Sequence, residues 1–271
     1  MIQELFRIGP LAVSPFGVMM VVAFLAAWAM LRWGFRRLGV GDDEDASALL
    51  LTSGIGGIAG AKLYYALLYG DWRLLFDRSG LVWYGAFVAG VLAAAWVIRR
   101  RRLAPWPTFD ATGPALALGY AVGRVGCFLV GDDYGYPTEL PWGVAFPHGL
   151  PVPTTADWMR REYGAEIPAG VAGDELVAVH PTQAYETLAG LLVCALGVWL
   201  LRRGVRPGTT ILAVSAALAI ERFGVEFLRA KDDRFIGVLT LAQVISLAII
   251  AVGVMGAVRT SQRRDPEPAA A

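Results

Sequence analysis

The 271-residue sequence has few cysteines and histidines, two of each, and neither sign of charge is in excess. Cys127 and Cys194 lie in apolar runs, and two are too few for a disulfide-stapled secreted fold or a multi-cysteine metal site. The 24 Lys and Arg residues balance 23 Asp and Glu residues, which excludes a basic nucleic-acid-binding surface and an acidic disordered chain. The balanced charge gives no reason to expect a nucleic acid partner. There is no HExxH motif and no histidine pair at ligand spacing, so we also expect no metal site.

Apolar residues, by contrast, are abundant. They make up 56% of the chain and charged residues 17%, with a mean hydropathy of +0.52, whereas an ordinary soluble domain is roughly 25% charged. Runs of about 20 mostly apolar residues, the length a helix needs to cross a bilayer, recur along the sequence. The first run has no signal-peptide flanks and is expected to be a span. We predict an all-α polytopic membrane protein with seven transmembrane helices, at residues 13–31, 46–69, 81–98, 110–130, 181–201, 209–228 and 236–258.

The distribution of Lys and Arg predicts the orientation of these helices. Basic residues are denser in the connections after spans 1, 3 and 5 and in the tail, as the four consecutive arginines at 99–102 illustrate. Cytoplasmic connections carry such an excess, so we place the N-terminus outside and the C-terminus in the cytoplasm. Residues 1–258 then form one membrane domain, and 259–271 a disordered cytoplasmic tail. The polar, proline-rich residues 131–180 form an external head region of short strands or turns.

Ionisable groups inside the predicted spans indicate a functional cavity. Such a group costs several kcal/mol in a bilayer unless it is paired or faces water. In this topology the polar groups converge on the outer halves of five helices, whereas Asp110, at the inner end of span 4, is the one charged residue in the inner halves of the predicted spans. We therefore predict a cavity open to the outer side, lined by Lys62, Tyr65, Tyr69, Tyr84, Arg124, His180, Gln183, Tyr185, Glu186, Arg222 and Glu226.

Arg124 and Arg222 are the strongest binding candidates in this set. Arg124 lies among glycines in GRVGCFLVGDDYG, and Arg222 precedes Glu226 by one helical turn. A guanidinium is a planar fork that matches phosphate oxygens, so two of them suit an anionic phospholipid headgroup and can stabilise a departing phosphate. Arg229, at the helix end, could equally snorkel to the membrane surface. His180, just before Pro181, fits a helix cap as well as a catalytic group.

These segments resemble those of the phosphatidylglycerol:prolipoprotein diacylglyceryl transferase family. The similarity runs in order from about residue 9 to residue 258, through GPLAVSPFGVMM, GAKLYYALLY, GRVGCFLVGDDYG, HPTQAYE, ERFGVEFLR and LAQVIS. The resemblance implies a bacterial inner-membrane enzyme of seven helices, with the N-terminus and a head region on the periplasmic side. It agrees with the orientation expected from charge.

The resemblance also implies the reaction and its participants. The sn-1,2-diacylglyceryl group of phosphatidylglycerol passes to the lipobox cysteine of a prolipoprotein signal peptide, glycerol phosphate is released, and no cofactor is needed. This is the first step of lipoprotein maturation. By this resemblance Arg124 and Arg222 hold the headgroup and leaving phosphate, and Glu226 orients Arg222. Asp132 replaces a family glutamate, Gly135 matches a family glycine, and further substrate contacts are expected from Lys62, Tyr65, Gln183 and Glu186.

The sequence departs from the family pattern where a proton acceptor is needed. Tyr84 stands at the position of a family histidine, Cys127 at that of an asparagine and Phe16 at that of a tyrosine. The base can thus be Tyr84, His180 or Asp132, or the thiol can ionise in a cationic site without one. Two other functions remain open: a paralogue with altered or lost acceptor chemistry, and a lipid-binding or transport protein. A transport path would require polar groups in the inner halves as well.

Overall fold

The computed structural model describes residues 4–9, 11–76, 82–150, 152–231, 234–236 and 238–262. Within these ranges the chain is mostly helical. It divides into two compact units, one of Met1–Ala27 with Gly113–Ala271 and the other of Trp28–Thr112. Each unit is described separately below.

Seven long helices coincide with the seven predicted spans. Four of them, Pro15–Leu38, Asp43–Tyr69, Pro105–Val130 and Thr182–Arg203, are long and apolar enough to cross a membrane, as a polytopic membrane protein requires. The full set of seven crossings and their orientation remain predictions. The long helices are α1 (Pro15–Leu38), α2 (Asp43–Tyr69), α3 (Trp83–Arg100), α4 (Pro105–Val130), α6 (Thr182–Arg203), α7 (Thr209–Val225) and α8 (Leu241–Gln262), and the short α5 is Ala156–Tyr163.

The smaller unit is built around the close packing of α2 and α3. A Cβ at Gly60 would lie 2.4 Å from the carbonyl oxygen of Gly85, and one at Gly85 would lie 2.3 Å from that of Gly60. The two backbones therefore touch, as small residues permit between membrane helices. The acidic residues 42–45 form the start of α2, because Asp42 and Asp45 make a reciprocal capping box.

The structure contains two short β-hairpins that the prediction of an all-α protein did not include. β1 (Phe6–Ile8) pairs with β2 (Leu11–Val13) before α1, and β3 (Arg234–Ile236) pairs with β4 (Leu239–Thr240) before α8. The last helix consequently begins at Leu241 rather than near residue 236. It continues to Gln262, so the predicted disordered tail is helical at its start, and its remaining residues, 263–271, lie outside the described residues.

The head region has a small aromatic core of its own. Phe146 stacks on Tyr134 with ring centroids 5.8 Å apart, and Met159 and Val179 are fully buried beside them. Isolated bridges such as 144–179 hold the loops, as expected for short extended pieces. The helix α5 was not predicted, because it is only eight residues long and half of them are charged.

Candidate functional site

Arg124 on α4 lies in the larger unit and is nearly buried. Its side chain is 11% exposed, and its Nε and Nη2 groups both donate to Oε2 of Glu186 on α6. Glu186 is 1% exposed. A buried guanidinium and carboxylate in this two-pronged arrangement satisfy each other's charge, which neither could do alone in an apolar surrounding. Glycines of α4 allow this helix to approach its neighbours, since a Cβ at Gly126 would lie 3.0 Å from the Cβ of Met19.

Arg222 on α7 contacts the same carboxylate from the other side. Its Nη1 lies 3.7 Å from Oε1 of Glu186, and its Nη2 lies 2.6 Å from Oε2 of Glu226. The buried Nη1 nitrogen has no hydrogen-bond partner among the described residues. Arg222 therefore retains donor capacity toward a further acceptor.

Glu226, at the end of α7, is fixed by a residue that the sequence did not indicate. The Oγ1 of Thr240 donates to Oε1 of Glu226 at 3.0 Å, and the backbone N–H of Gln243 donates to the same hydroxyl at 3.2 Å. In return, the Oε1 of Gln243 accepts from the N–H of Thr240 at 3.0 Å. This reciprocal cap at the start of α8 positions Glu226, whose carboxylate contacts Arg222.

Asp133 joins Arg124 to a third arginine. Its Oδ2 accepts from Nη1 of Arg124 at 2.9 Å, and its Oδ1 accepts from Nη2 of Arg229. Arg229 is 10% exposed, so it does not snorkel to the surface. Burial opposes ionisation of Asp133, but the charges of Arg229 and Arg124 outweigh burial and hold the pKa of this carboxyl below its ordinary value.

Asp132, the residue predicted from the family pattern, is placed differently from its neighbour. Its backbone carbonyl accepts from Nε2 of Gln183 at 2.5 Å, and the carbonyl of Asp133 accepts from Oγ1 of Thr182 at 2.6 Å. Burial, reinforced by the charge of Asp133, raises the pKa of Asp132. A carboxylate with a raised pKa is a stronger proton acceptor, so Asp132 keeps its candidacy as a base.

Gly135 is where three chain segments meet. Its N–H donates to the carbonyl of His180 at 2.9 Å, and it pairs with Arg229 in an isolated bridge. A Cβ here would lie 2.5 Å from the carbonyl oxygen of Leu228 and 2.8 Å from the Cβ of His180. Only glycine fits this position, and its presence brings the segment that carries Asp133 against the segments that carry His180 and Arg229.

His180 is a second candidate base in the larger unit. Its Nδ1 lies 3.3 Å from the hydroxyl of Tyr185, which also accepts from Nε1 of Trp142 at 2.8 Å. Burial lowers the pKa of His180, so the imidazole is neutral near pH 7 and can take up a proton.

Two polar residues of the larger unit extend the cluster beyond the predicted set. The hydroxyl of Tyr120 lies 3.3 Å from Oε2 of Glu221, and the Arg124 guanidinium is 6.0 Å from the Tyr120 ring centroid. Cys127 accepts from Nη1 of Arg124 at 3.5 Å and is buried as expected, as is Cys194.

The side chains of Cys127, Asp132 and Asp133 could by spacing hold a cation, since their ligand atoms lie within 4.8 Å of one another. Two guanidinium groups already contact Asp133. Their positive charges oppose a metal ion at the same carboxylate. The surroundings of these three side chains therefore do not fit a metal ion.

The remaining predicted site residues belong to the smaller unit. Lys62 and Tyr65 lie on α2 and are half-buried, and the Tyr65 ring packs 4.9 Å from that of Tyr69. Tyr84 is the second residue of α3 and is 39% exposed. A role for Lys62, Tyr65 or Tyr84 in the same site stays a prediction.

Asp133 and Thr240 were not among the predicted site residues, and for Arg229 the sequence left a snorkelling role open beside a functional one. Arg229 follows Glu226 at helical spacing, which was a usable signal. Asp133 and Thr240 gave none, because their partners are remote in sequence and are brought together only by the loop at Gly135 and the hairpin before α8.

Comparison with known proteins agrees with the resemblance noted above. The family model described as "Prolipoprotein diacylglyceryl transferase" matches residues 3–259. A phosphatidylglycerol–prolipoprotein diacylglyceryl transferase of Synechococcus elongatus is 31% identical over 269 residues, covering 94% of this chain and 86% of the relative. Proteins of the same name from Xanthomonas campestris pv. campestris and Thermosynechococcus vestitus are each 31% identical, over 265 and 273 residues, covering 92% and 97% of this chain and 88% and 94% of the relatives.

Proposed function

The chain belongs to the prolipoprotein diacylglyceryl transferase family, and on that premise we propose that it transfers the sn-1,2-diacylglyceryl group of phosphatidylglycerol to the lipobox cysteine of prolipoproteins. The observation that carries this proposal is the meeting of Arg124 and Arg222, from different helices, at the carboxylate of Glu186. Positive charge preorganised in a dry site is what a departing phosphate requires.

The proposed reaction is a single displacement. The cysteine sulfur of the signal peptide attacks the glycerol carbon that carries the phosphate ester. A carbon–sulfur bond forms while the carbon–oxygen bond breaks, and the electron pair leaves with glycerol phosphate. The thiol proton passes to a base or to solvent, and the thiolate is favoured by the surrounding guanidinium groups.

The arginines differ in their readiness to bind the phosphate. Arg124 commits its Nε and Nη2 groups to Glu186, which holds its fork in one orientation. Arg222 has a buried Nη1 without a hydrogen-bond partner among the described residues, and Glu226 together with Thr240 fixes its direction. Arg222 therefore supplies the free donor, and Arg124 supplies fixed charge.

The proposal includes the setting of the reaction. In a bacterial inner membrane crossed seven times, with the N-terminus in the periplasm, the arginine cluster lies toward the outer leaflet. Phosphatidylglycerol and the signal peptide would enter laterally from the bilayer. Positive-inside counting of Lys and Arg supports this orientation.

The test is a transfer assay with purified protein, labelled phosphatidylglycerol and a synthetic lipobox peptide. We expect label on the peptide cysteine, and a loss of transfer of at least about a hundredfold in Arg124→Ala and Arg222→Ala. Arg100→Ala, which removes an arginine at the end of α3, is the matched control and is expected to transfer normally. Near-normal transfer in both site variants would overturn the assignment of the two arginines.

Lipid binding measured beside transfer separates the other two functions. A protein that binds phosphatidylglycerol through Arg124 and Arg222 but never labels the peptide is the paralogue with altered acceptor chemistry. A protein that moves lipid between leaflets of a vesicle without peptide is a transporter. Complementation of a transferase-depleted bacterium tests the whole reaction at once.

A further inference from the structure

The anion-binding fork of Arg124 is already filled by carboxylates of the protein. Its Nε and Nη2 groups donate to Glu186, and its Nη1 donates to Asp133 at 2.9 Å. Arg229 likewise donates to Asp133. A substrate phosphate that approaches these guanidinium groups must therefore compete with an internal anion.

Asp133 is the carboxylate most easily replaced. Its side chain is 36% exposed, whereas those of Glu186 and Glu226 are each 1% exposed. Glu186 and Glu226 also lie on or at the end of long helices, and Glu226 has the additional contact with Thr240. Asp133 lies in the loop after α4, at the wet edge of the cluster.

The backbone of Asp133 is held in place, so we expect a ligand to displace its carboxylate by moving the side chain and not the loop. Its φ is +62°, in the left-handed region that few residues other than glycine adopt. The Oγ1 of the fully buried Thr182 donates to its carbonyl at 2.6 Å and keeps the backbone in place. We therefore expect the carboxylate to leave both arginines by rotation about the side-chain bonds.

We propose that Asp133 is an internal substitute for the substrate phosphate, which displaces the Asp133 carboxylate and takes its place between Arg124 and Arg229. The carboxylate presents one oxygen to each arginine, and a phosphodiester has two unesterified oxygens that can do the same. The inference rests on the proposed function, since it takes the ligand to be the phosphate of phosphatidylglycerol. It assigns Arg229 as a further phosphate-binding residue.

The internal anion gives the empty site a specific property. Without lipid, the charges of Arg124 and Arg229 are neutralised by Asp133. The two guanidinium groups therefore neither repel each other nor attract other anions from solution. With lipid, the cost of moving Asp133 is subtracted from the binding free energy. Removing the Asp133 charge should therefore strengthen binding of the lipid, whereas loss of a merely structural contact would weaken it.

The experiment compares equilibrium binding of labelled phosphatidylglycerol in detergent micelles to the full-length protein and to Asp133→Asn. Asparagine keeps the shape of the side chain and tolerates the left-handed backbone. We expect binding about tenfold tighter in Asp133→Asn, because one charge-assisted hydrogen bond is worth that order of affinity. Asp133→Gly, which also fits a positive φ, is a second variant should Asp133→Asn not fold.

Three controls make the result specific. Asp157→Asn, on the exposed face of α5, removes the same charge from the head region outside the cluster and should leave binding unchanged. Diacylglycerol, which has no phosphate, should bind with equal affinity to the unaltered protein and to Asp133→Asn. Inorganic phosphate, titrated as a competitor, should displace labelled lipid more readily from Asp133→Asn, and this arm separates the phosphate itself from the rest of the headgroup.

A double-variant cycle tests the part assigned to Arg229. Arg229→Gln alone should weaken phosphatidylglycerol binding, and in the combined Asp133→Asn, Arg229→Gln protein the tenfold gain should shrink to the part that comes from freeing Arg124. Equal or weaker lipid binding in a folded Asp133→Asn or Asp133→Gly protein would overturn this inference while leaving the transferase proposal intact. No phosphatidylglycerol binding by the unaltered protein would overturn both.

Discussion

Arg124 and Arg222 lie on different helices and contact different oxygens of one buried carboxylate, that of Glu186. This arrangement fixes the separation of the two guanidinium groups more firmly than either helix could alone. A buried carboxylate between two arginines also lowers the cost of placing them in a membrane segment. The predictions below test individual contacts of this cluster.

Glu186→Gln should be destabilising and nearly inactive. The amide keeps the shape of the side chain but leaves two guanidinium groups without their shared negative charge, and loss of one partner of a buried ion pair costs roughly 3–5 kcal/mol. Thermal unfolding in detergent and the transfer assay measure the two effects. Glu139→Gln, at an exposed position of the head region, is the control. An unchanged unfolding temperature in Glu186→Gln would contradict a stabilising role for this carboxylate.

Thr240→Val should reduce turnover more strongly than it reduces the stability of the fold. The substitution removes the hydroxyl that donates to Glu226 and accepts from the N–H of Gln243, at a cost of about 1–3 kcal/mol. Because Glu226 orients Arg222, we expect kcat to fall more than the affinity for lipid. Steady-state kinetics against lipid concentration separate these quantities. Thr52→Val on α2 is the matched control, and equal losses in both variants would exclude a positioning role for Thr240.

Gly135→Ala should disturb both the fold and the site. The added methyl group would lie 2.5 Å from the carbonyl oxygen of Leu228, so one of the three segments at this point must shift. Overpacking of this kind costs about 1–3 kcal/mol. Gly170→Ala is the control in the same head region, where a Cβ meets nothing within 4 Å. We expect unfolding temperature and transfer to fall only in Gly135→Ala, and parallel behaviour of the two variants would refute the steric argument.

The three candidate bases can be separated by substitution and pH. Tyr84→Phe tests the phenol, because retained turnover in this variant would exclude the Tyr84 hydroxyl as the base. Burial lowers the pKa of His180 from its ordinary value of 6.5, so His180 accepts protons at neutral pH and loses this ability only at lower pH. If His180 is the base, the acidic limb of the activity profile lies at a lower pH than for an ordinary histidine, and His180→Gln removes this limb.

A retained acidic limb in His180→Gln would transfer the assignment to Asp132, whose pKa is raised by burial. Asp132→Asn should then abolish the limb. If Tyr84→Phe, His180→Gln and Asp132→Asn all keep their turnover, the thiol ionises without a dedicated base.

The Asp133 ion pairs should make stability depend on acid pH. Because the pKa of Asp133 is lower in the folded protein than its ordinary value, its ionised form stabilises the fold above about pH 4, and this contribution is lost as pH falls through the folded pKa. Without lipid, the unaltered protein should therefore unfold at a higher temperature than Asp133→Asn at pH 7, and the difference should shrink at acid pH. A difference that is constant with pH would mean that the ion pairs contribute no net stability.

The sequence predicted the helices well because each is a long apolar run bounded by charge or glycine. It also indicated Arg222 and Glu226 as a pair, since residues four apart share a helix face. The role of Asp133 could not be predicted from the sequence, because Asp132 and Asp133 are adjacent and chemically alike. Only the bend of the loop decides that Asp133, and not Asp132, contacts Arg124 and Arg229. The sequence also could not decide whether Arg229 is buried, because the head-region residues that contact it are distant in sequence.

Glu226 receives the hydroxyl of Thr240, the residue immediately before the final long helix. During synthesis, a chain that has emerged only as far as α7 holds Arg222 beside a carboxylate that still lacks this contact. The cluster takes its finished arrangement only when residue 240 has left the ribosome and α8 has docked. A fragment that ends before residue 240 lacks this hydrogen bond, so we expect Glu226 to hold Arg222 less firmly in such a fragment than in the full chain.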